Sequence, residues 1–135
     1  MIVVDASAML GILLEDPSTI EAYRQLPADA QAAPFGAPAL VEPETLNALR
    51  RLERHKVMPA WRATQAVADL RELRSVLYPH DPFLERVWEL RHELTAYDAM
   101  YVALAEQLGC TLLTGDARLA SAAGVDCPVE VLRAG

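Results

Sequence analysis

The sequence is poor in the residues on which several protein classes depend. Its 135 residues include two cysteines, Cys110 and Cys127, which form neither a CxxC pair nor a metal-type cluster. This spacing excludes a disulfide scaffold and a thiolate zinc site, and it predicts buried free thiols in a reducing compartment. Lys56 is the only lysine, and the chain has no phosphate loop and no GxGxxG motif, so the common nucleotide-binding motifs are absent.

The sequence also lacks an apolar run suited to export or to a membrane. The hydrophobic start, residues 1–14, is interrupted by Asp5, and no Lys or Arg precedes it, so it does not resemble a secretory signal. The apolar stretch 96–113 contains Asp98 and Glu106 and is too broken to span a bilayer. We therefore expect a soluble, cytoplasmic protein that does not contact membranes.

The overall composition is that of a globular protein, with 53% hydrophobic and 23% charged residues. No repeat or linker divides the chain, which predicts a single domain over residues 1–135. The net charge of −7 argues against binding nucleic acid. Bound divalent cations would offset part of that charge, and most of the basic residues in the segment 50–62 are arginines. This basic segment fits a phosphate-facing patch and a solvated helix face equally well.

Short β-branched runs alternate with helical periodicity along the chain. Strands are predicted at 2–4, 39–41, 76–78 (at a sheet edge), 111–114 and 129–132; helices at 6–14, 18–26, 43–54, 59–74, 83–94, 95–109 (central and buried) and 116–123; and a loop at 28–38. Alternation of this kind implies parallel pairing through right-handed crossovers. It predicts a three-layer α/β/α sandwich around a mostly parallel sheet of four to five strands.

Acidic residues occur where three of the predicted strands end. Asp5 follows the first strand, Glu42 and Glu44 follow the second, and Asp116 follows the strand at 111–114, while Asp98 begins the buried helix that leads to that strand. Because parallel strands present their carboxyl ends at one edge of the sheet, these acids should meet there. Carboxylates brought so close together repel unless protons or cations neutralise them. Oxygen ligands favour Mg²⁺, for which Mn²⁺ can substitute.

Each acid also fits a purely structural role. Asp5 and Asp116 are suited to cap the helices that follow them, and Glu44 suits the first turn of its helix. Thr95 and Asp98 have the spacing of a capping box. One shared metal site explains the four acids more simply than four independent structural roles at the same sheet edge.

Four segments carry a family resemblance. They are VVDASA (3–8), PALV (38–41) leading to ETLNALRR (44–51), LTAYDAMYVALA (94–105) and LLTGDARL (112–119), and together they span nearly the whole chain in order. In these segments the chain resembles the PIN domain, and more narrowly the VapC ribonuclease toxins of bacterial toxin–antitoxin pairs. The last two segments together are the most specific.

The resemblance implies a set of site residues. The catalytic, metal-binding acids are Asp5, Glu44, Asp98 and Asp116, with Glu42 in reserve because Pro43 stands where the family varies. Supporting side chains are Ser7, Thr114 and Asn47, and candidate RNA contacts are Arg51, Arg50 and Arg118. The implied partners are an RNA substrate, a cognate antitoxin and a second copy of the chain in a homodimer.

The implied activity is Mg²⁺-dependent RNA cleavage by a metal-activated water, leaving 5′-phosphate and 3′-hydroxyl ends. No histidine serves as the base in this hypothesis, because His55, His80 and His92 fall outside the motifs. Two alternatives remain open. One is a PIN nuclease of RNA processing that is not a toxin. The other is an aspartate phospho-acceptor module, which is disfavoured because Lys56 is misplaced and Ser7 stands where an Asp-x-Asp motif needs a second acid.

Overall fold

A computed structural model of the chain describes residues 1–133. Its strands are β1 (Val3–Val4), β2 (Phe35–Pro38), β3 (Ser75–Tyr78), β4 (Leu112–Thr114) and β5 (Val129–Val131). They form one sheet in the order β3-β2-β1-β4-β5, and every neighbouring pair is parallel. The sheet confirms the predicted α/β class, and β3 lies at an edge as expected.

Helices cover both faces of this sheet. They are α1 (Ala6–Leu13), α2 (Pro17–Arg24), α3 (Ala28–Ala32), α4 (Val41–Arg54), α5 (Ala60–Glu72), α6 (Leu84–Glu89), α7 (Ala96–Leu108) and α8 (Ala117–Ser121). Helices α1, α4 and α5 pack against one another, whereas α6 packs on α7 and α7 lies on the central strands. None of the helices in the described part of the chain is long and apolar enough to cross a membrane.

Helix α7 is the centre of the core, as the sequence predicted. Every residue from 99 to 105 is buried, and the side chains of β1 and β4 that face it are fully enclosed. The Thr95 side chain accepts a hydrogen bond from the amide of Asp98 and caps the start, while Gly109, with φ of +64°, ends the helix in the left-handed conformation. Cys110 and Cys127, on nearby loops, are free and half-buried, and burial raises the pKa of the Cys127 thiol to about 11.

The segment before α4 differs from the prediction. Residues 28–38 are not a loop, because they form α3 and β2, and residues 39–41 are not a strand. Gly36 and Pro38 disfavour a strand by local propensity, but the pairing of β2 with its neighbours tolerates them. A Cβ on Gly36 would lie 2.9 Å from the Met1 sulfur, and Pro38 lies beyond the point where β2 still pairs with β1.

The turn that follows β2 sets the start of α4. The amide of Ala39 donates to the Tyr78 carbonyl (2.9 Å), and the amide of Leu40 donates to His80 Nε2 (3.0 Å). Helix α4 therefore begins at Val41, two residues before the predicted start, and Glu44 lies in its first turns. His80 has a structural contact here.

The strand order has a switch point between β1 and β4. From β1 the chain moves outward through β2 and β3, and it later returns to build β4 and β5 on the other side. Parallel sheets of this kind leave a crevice at the carboxyl ends of the strands where the order reverses. The pairing of Val4 with Leu113 places Asp5 beside Thr114 at that edge.

Candidate active site

A cavity of about 450 Å³ opens at this switch point. Its lining consists of Asp5, Ala6, Ser7, Glu44, Asp98, Tyr101, Gly115, Asp116 and Arg118. Asp5 follows β1, Asp116 follows β4, and Glu44 and Asp98 come from the first turns of α4 and α7. The expected convergence of the four acids at one sheet edge is confirmed; their roles in metal binding and catalysis stay predictions.

Asp5 is the most firmly held of the four acids. Asp5 is only 8% exposed, and both oxygens of its carboxylate accept hydrogen bonds. Oδ1 accepts from the Ser7 hydroxyl (2.6 Å) and the Ala8 amide (3.0 Å), and Oδ2 accepts from the Thr114 hydroxyl. Asp5 therefore caps α1 and lines the cavity, so its structural and proposed functional roles coexist.

The two hydroxyls that bind Asp5 also connect it to the loop after β4. The Gly115 amide donates to Ser7 Oγ (2.8 Å), and the Asp116 amide donates to Thr114 Oγ1 (3.0 Å). A Cβ on Gly115 would lie 3.1 Å from Ser7 Oγ, so a larger residue at this position would need Ser7 to shift slightly. Ser7 and Thr114 thus orient the acid, as their resemblance to family hydroxyls implies.

Glu44 is bonded to a residue that the sequence did not single out. The Tyr101 hydroxyl donates to Glu44 Oε1 at 2.5 Å and joins α4 to α7. Burial, and then the nearby charges of Asp98 and Asp5, raise the pKa of Glu44, although this hydrogen bond opposes them. Tyr101, 2% exposed, resembles any core aromatic in the sequence, and its position three residues after Asp98 on one helix face was the only signal.

Asp98 combines a helix-start position with a place in the cavity. Its amide donates to Thr95 Oγ1 (3.2 Å), as in the expected capping box, while its carboxylate faces the other acids. Burial is the main cause that raises its pKa, the charge of Asp116 adds to the shift, and Arg118 opposes it. A raised carboxyl pKa shows that the negative charge at this position is poorly compensated.

Asp116, whose side chain is 30% exposed, is paired with Arg118. The Asp116 carboxylate caps α8 by accepting from the Arg118 amide (3.0 Å). The Arg118 guanidinium donates to both carboxylate oxygens, with Nη2 2.5 Å from Oδ2 and Nε 3.0 Å from Oδ1, and lowers the pKa of Asp116. The same Nη2 lies 3.9 Å from Asp98 Oδ2. Arg118, a candidate RNA contact, is therefore bound to an acid here.

Within residues 1–133, no three His, Cys, Asp or Glu side chains stand ready to hold a metal ion together. Three of the acids are bound to other side chains, Asp5 to Thr114, Glu44 to Tyr101 and Asp116 to Arg118. The donor set nevertheless fits a hard divalent cation. It consists of carboxylates around one cavity, two of them with raised pKa values, and it includes no imidazole or thiolate.

A second cavity, of about 300 Å³, adjoins the first and shares Ala6, Ser7 and Glu44 with it. Asn47 and Arg51 line this second cavity, one and two turns beyond Glu44 on α4. Arg50 and Glu42 are exposed and line neither cavity. The structure therefore brings Asn47 and Arg51 to the site and leaves Arg50 and the reserve acid Glu42 outside it.

Comparisons with known proteins agree with this architecture. The PIN domain model matches residues 2–125. Ribonuclease VapC9 of Mycobacterium tuberculosis is 43% identical, and Ribonuclease VapC1 of the same organism is 39% identical; the alignments cover 98% and 97% of both chains, respectively. The crystal structure of VapBC2 from Rickettsia felis, bound to a DNA fragment from their promoter, shares the fold with a TM-score of 0.68 at 13% identity, over 98% of this chain and 100% of that one. The chain belongs to the PIN-domain family, where its relatives are VapC ribonucleases.

Proposed function

We propose that this protein is a Mg²⁺-dependent endoribonuclease and the toxin of a toxin–antitoxin pair, with Mn²⁺ as a possible substitute ion. The observation that carries the proposal is the cavity lined by four carboxylates in a chain 43% identical to a ribonuclease over almost its full length. The phospho-acceptor alternative loses its support, because the chain belongs to the PIN family and both oxygens of Asp5 are engaged by hydrogen bonds.

The acids would contribute to cation binding in two ways. Asp5, held by two hydroxyls and an amide, is an oriented ligand, and Glu44 and Asp98 add charge that is only partly compensated. A bound divalent cation would lower the pKa of a coordinated water and offset the charge that develops on the scissile phosphate. Thr114 and Ser7 would keep the Asp5 carboxylate aimed at the cavity, and Tyr101 would do the same for Glu44.

RNA would reach the site along α4. Arg51 and Asn47 line the adjoining cavity, so a phosphate of the substrate strand can be bound there next to Glu44. A guanidinium binds phosphate with two parallel hydrogen bonds, which positions the strand without reading its sequence. Arg118, on the other rim of the acidic cavity, is a second candidate.

The partners we propose are a cognate antitoxin and a second copy of the chain. Several large apolar side chains are exposed, among them Val57, Trp61, Leu84 and Trp88. Both tryptophans are about two-thirds exposed or more, which excludes them from the core and makes them available to a partner. We further propose that residues 1–135 act as one domain in the cytoplasm.

The test of the enzymatic proposal is Asp98→Asn, with the exposed Asp29→Asn on α3 as the matched control. With Mg²⁺ and single-stranded RNA, Asp98→Asn should lower cleavage at least about 100-fold, because one ligand of the cation is lost. The control should cleave normally, and circular dichroism should show both variants folded. Full activity in Asp98→Asn, or in the wild-type protein with EDTA, would contradict the proposal.

A separate experiment distinguishes a toxin from a nuclease of RNA maturation. Induced expression of the wild-type chain should stop growth, and co-expression of the neighbouring open reading frame should restore it. Sequencing the 5′ ends of RNA after induction would identify the substrate. Growth that continues normally in cells with active nuclease would favour the maturation enzyme.

A further inference from the structure

We propose that Arg118 is a built-in counter-cation, which holds the Asp116 side of the acidic cavity until a divalent ion displaces it and then binds the phosphate of the substrate. The first half concerns the metal-free protein and its cation. The second half depends on the nuclease activity proposed above.

The geometry of Arg118 carries the first half. Its guanidinium makes three contacts of 2.5–3.1 Å with the two oxygens of Asp116, and Nη2 lies 3.9 Å from Asp98 Oδ2. The positive charge therefore stands between two of the four acids. A divalent ion that used both carboxylates would need the position that this guanidinium now fills.

The electrostatics agree with this position. Asp116 raises the pKa of Asp98, while Arg118 lowers it, so the arginine compensates charge on both acids and not only on its close partner. Removing the guanidinium without replacing it would bring two carboxylates into uncompensated repulsion. A divalent cation restores the balance with a larger charge at the same place.

Comparison with Arg86 shows that Arg118 is free to leave. The Arg86 guanidinium, one-third exposed, is bound by two oxygens of Glu106 and by the Gly124 carbonyl, which join α6, α7 and a loop. The Arg118 side chain is 80% exposed, and among the described residues it donates hydrogen bonds to Asp116 alone, with a longer contact of 3.9 Å to Asp98. An exposed pair of this kind contributes little to stability, so a cation that several carboxylates bind can displace it.

A displaced Arg118 remains at the cavity. Its backbone is in the first turn of α8, and its amide stays bound to Asp116. The released guanidinium is a planar donor of a kind that matches a phosphate. The same side chain thus neutralises the metal-free site and can contact substrate in the loaded one.

The experiment uses the full chain as wild type, Arg118→Ala and Arg118→Lys, with Arg71→Ala as control. Arg71 is an exposed residue in the last turn of α5, outside the acidic cavity, and its removal changes the net charge equally. Titration calorimetry with Mn²⁺ alone, in the absence of RNA, measures the first half. We expect Arg118→Ala to bind Mn²⁺ about fivefold more tightly, Arg118→Lys to fall between, and Arg71→Ala to change less than about twofold.

Cleavage of single-stranded RNA measures the second half. At saturating metal, we expect KM for RNA to rise about tenfold in Arg118→Ala and to be partly restored in Arg118→Lys. Tighter metal binding together with weaker RNA binding is a signature that a merely structural arginine would not give. Mn²⁺ affinity that is unchanged or weaker in Arg118→Ala, or a wild-type protein that binds no Mn²⁺, overturns the first half.

Different results would contradict each half of this proposal and the proposed nuclease function. An unchanged KM in Arg118→Ala overturns the phosphate role alone. If the wild type binds Mn²⁺ and the alanine variant binds it more tightly, but neither cuts RNA, the counter-cation role is supported and the nuclease proposal fails. Thermal unfolding of each variant checks that the fold is intact.

Discussion

The two ends of the acidic cavity are built in opposite ways. At the β1 end, Asp5 is 8% exposed and accepts hydrogen bonds from two side-chain hydroxyls and one amide. At the α8 end, the Asp116 side chain is about one-third exposed and is held mainly by Arg118, which is itself mostly in solvent. One end is fixed before any ion arrives, whereas the other can rearrange. A site with this division combines a rigid carboxylate with an adjustable one.

The largest effect should come from breaking the rigid end with Asp5→Asn. The asparagine Nδ2 that replaces one carboxylate oxygen cannot accept a hydrogen bond, so at least one buried donor is left unpaired, which costs about 1–3 kcal/mol. We expect urea unfolding to show a loss of about 2 kcal/mol, and cleavage to fall at least about 100-fold. Asp116→Asn, at the exposed end, should lower the unfolding free energy by less than about 0.5 kcal/mol. Equal losses in the two variants would show that the ends do not differ.

Thr114→Val tests how the two ends are connected. The buried Thr114 hydroxyl donates to Asp5 and accepts from the Asp116 amide, so valine of the same shape removes both contacts. We expect a loss of about 1–2 kcal/mol in urea unfolding, together with reduced cleavage. The buried Thr45 on α4, whose hydroxyl has no partner among the described residues, provides the control. Thr45→Val should leave stability unchanged or slightly higher, and a large loss there would contradict this explanation.

A smaller effect of opposite sign is expected for Glu44→Gln in metal-free protein. The folded-state pKa of Glu44 is raised, so protonation favours the folded state, and this stability is lost as the pH rises through that pKa. At neutral pH the charged Glu44 is therefore unfavourable, and glutamine should stabilise the fold by about 0.5–1 kcal/mol while it can still accept from Tyr101.

The pH dependence of thermal stability tests whether Glu44→Gln stabilises the fold. With EDTA present, the advantage of Glu44→Gln in thermal unfolding should be full above the raised pKa and should vanish below the ordinary glutamate pKa. The Glu15→Gln variant, at an exposed residue outside the acidic cavity, serves as the control. A glutamine variant that is less stable than the wild type at neutral pH would be evidence against the repulsion among the acids.

The smallest effects are expected on RNA binding, and they should differ between two neighbouring arginines of α4. Arg51 lines the cavity beside Glu44 and Arg50 does not. We expect Arg51→Ala to weaken RNA binding several-fold and to reduce the salt slope by about one, whereas Arg50→Ala should change neither. Fluorescence anisotropy at several salt concentrations measures both, and identical behaviour would mean that the basic segment acts as a diffuse charge.

The sequence predicted most elements because their periodicity and caps agree with the tertiary structure. Helix α7 is an example, since an apolar run between Thr95 and Gly109 gave both its limits and its buried position. Strand β2 could not be predicted in the same way. Gly36 and Pro38 are poor strand formers, and only the pairing with β1 and β3 shows why they are tolerated.

The site was predictable to a similar extent. Strand ends and the family motifs identified the four acids, because the carboxyl edge of a parallel sheet fixes where such residues meet. Tyr101 was missed, since an aromatic residue on an apolar helix usually belongs to the core. The pairing of Arg118 with Asp116 was also missed, because residues two apart do not face each other on a regular helix.

The hydrogen bond between Thr114 and Asp5 joins residues that are 109 positions apart in the sequence. This separation determines when the pocket can form during synthesis. The ribosome adds Thr114 and the last acid, Asp116, more than a hundred residues after Asp5. An unfinished chain therefore has no assembled pocket. A cell that makes such an enzyme next to its own RNA is not exposed to the assembled pocket until β4 and the loop after it have been synthesised, whatever inhibitor later binds.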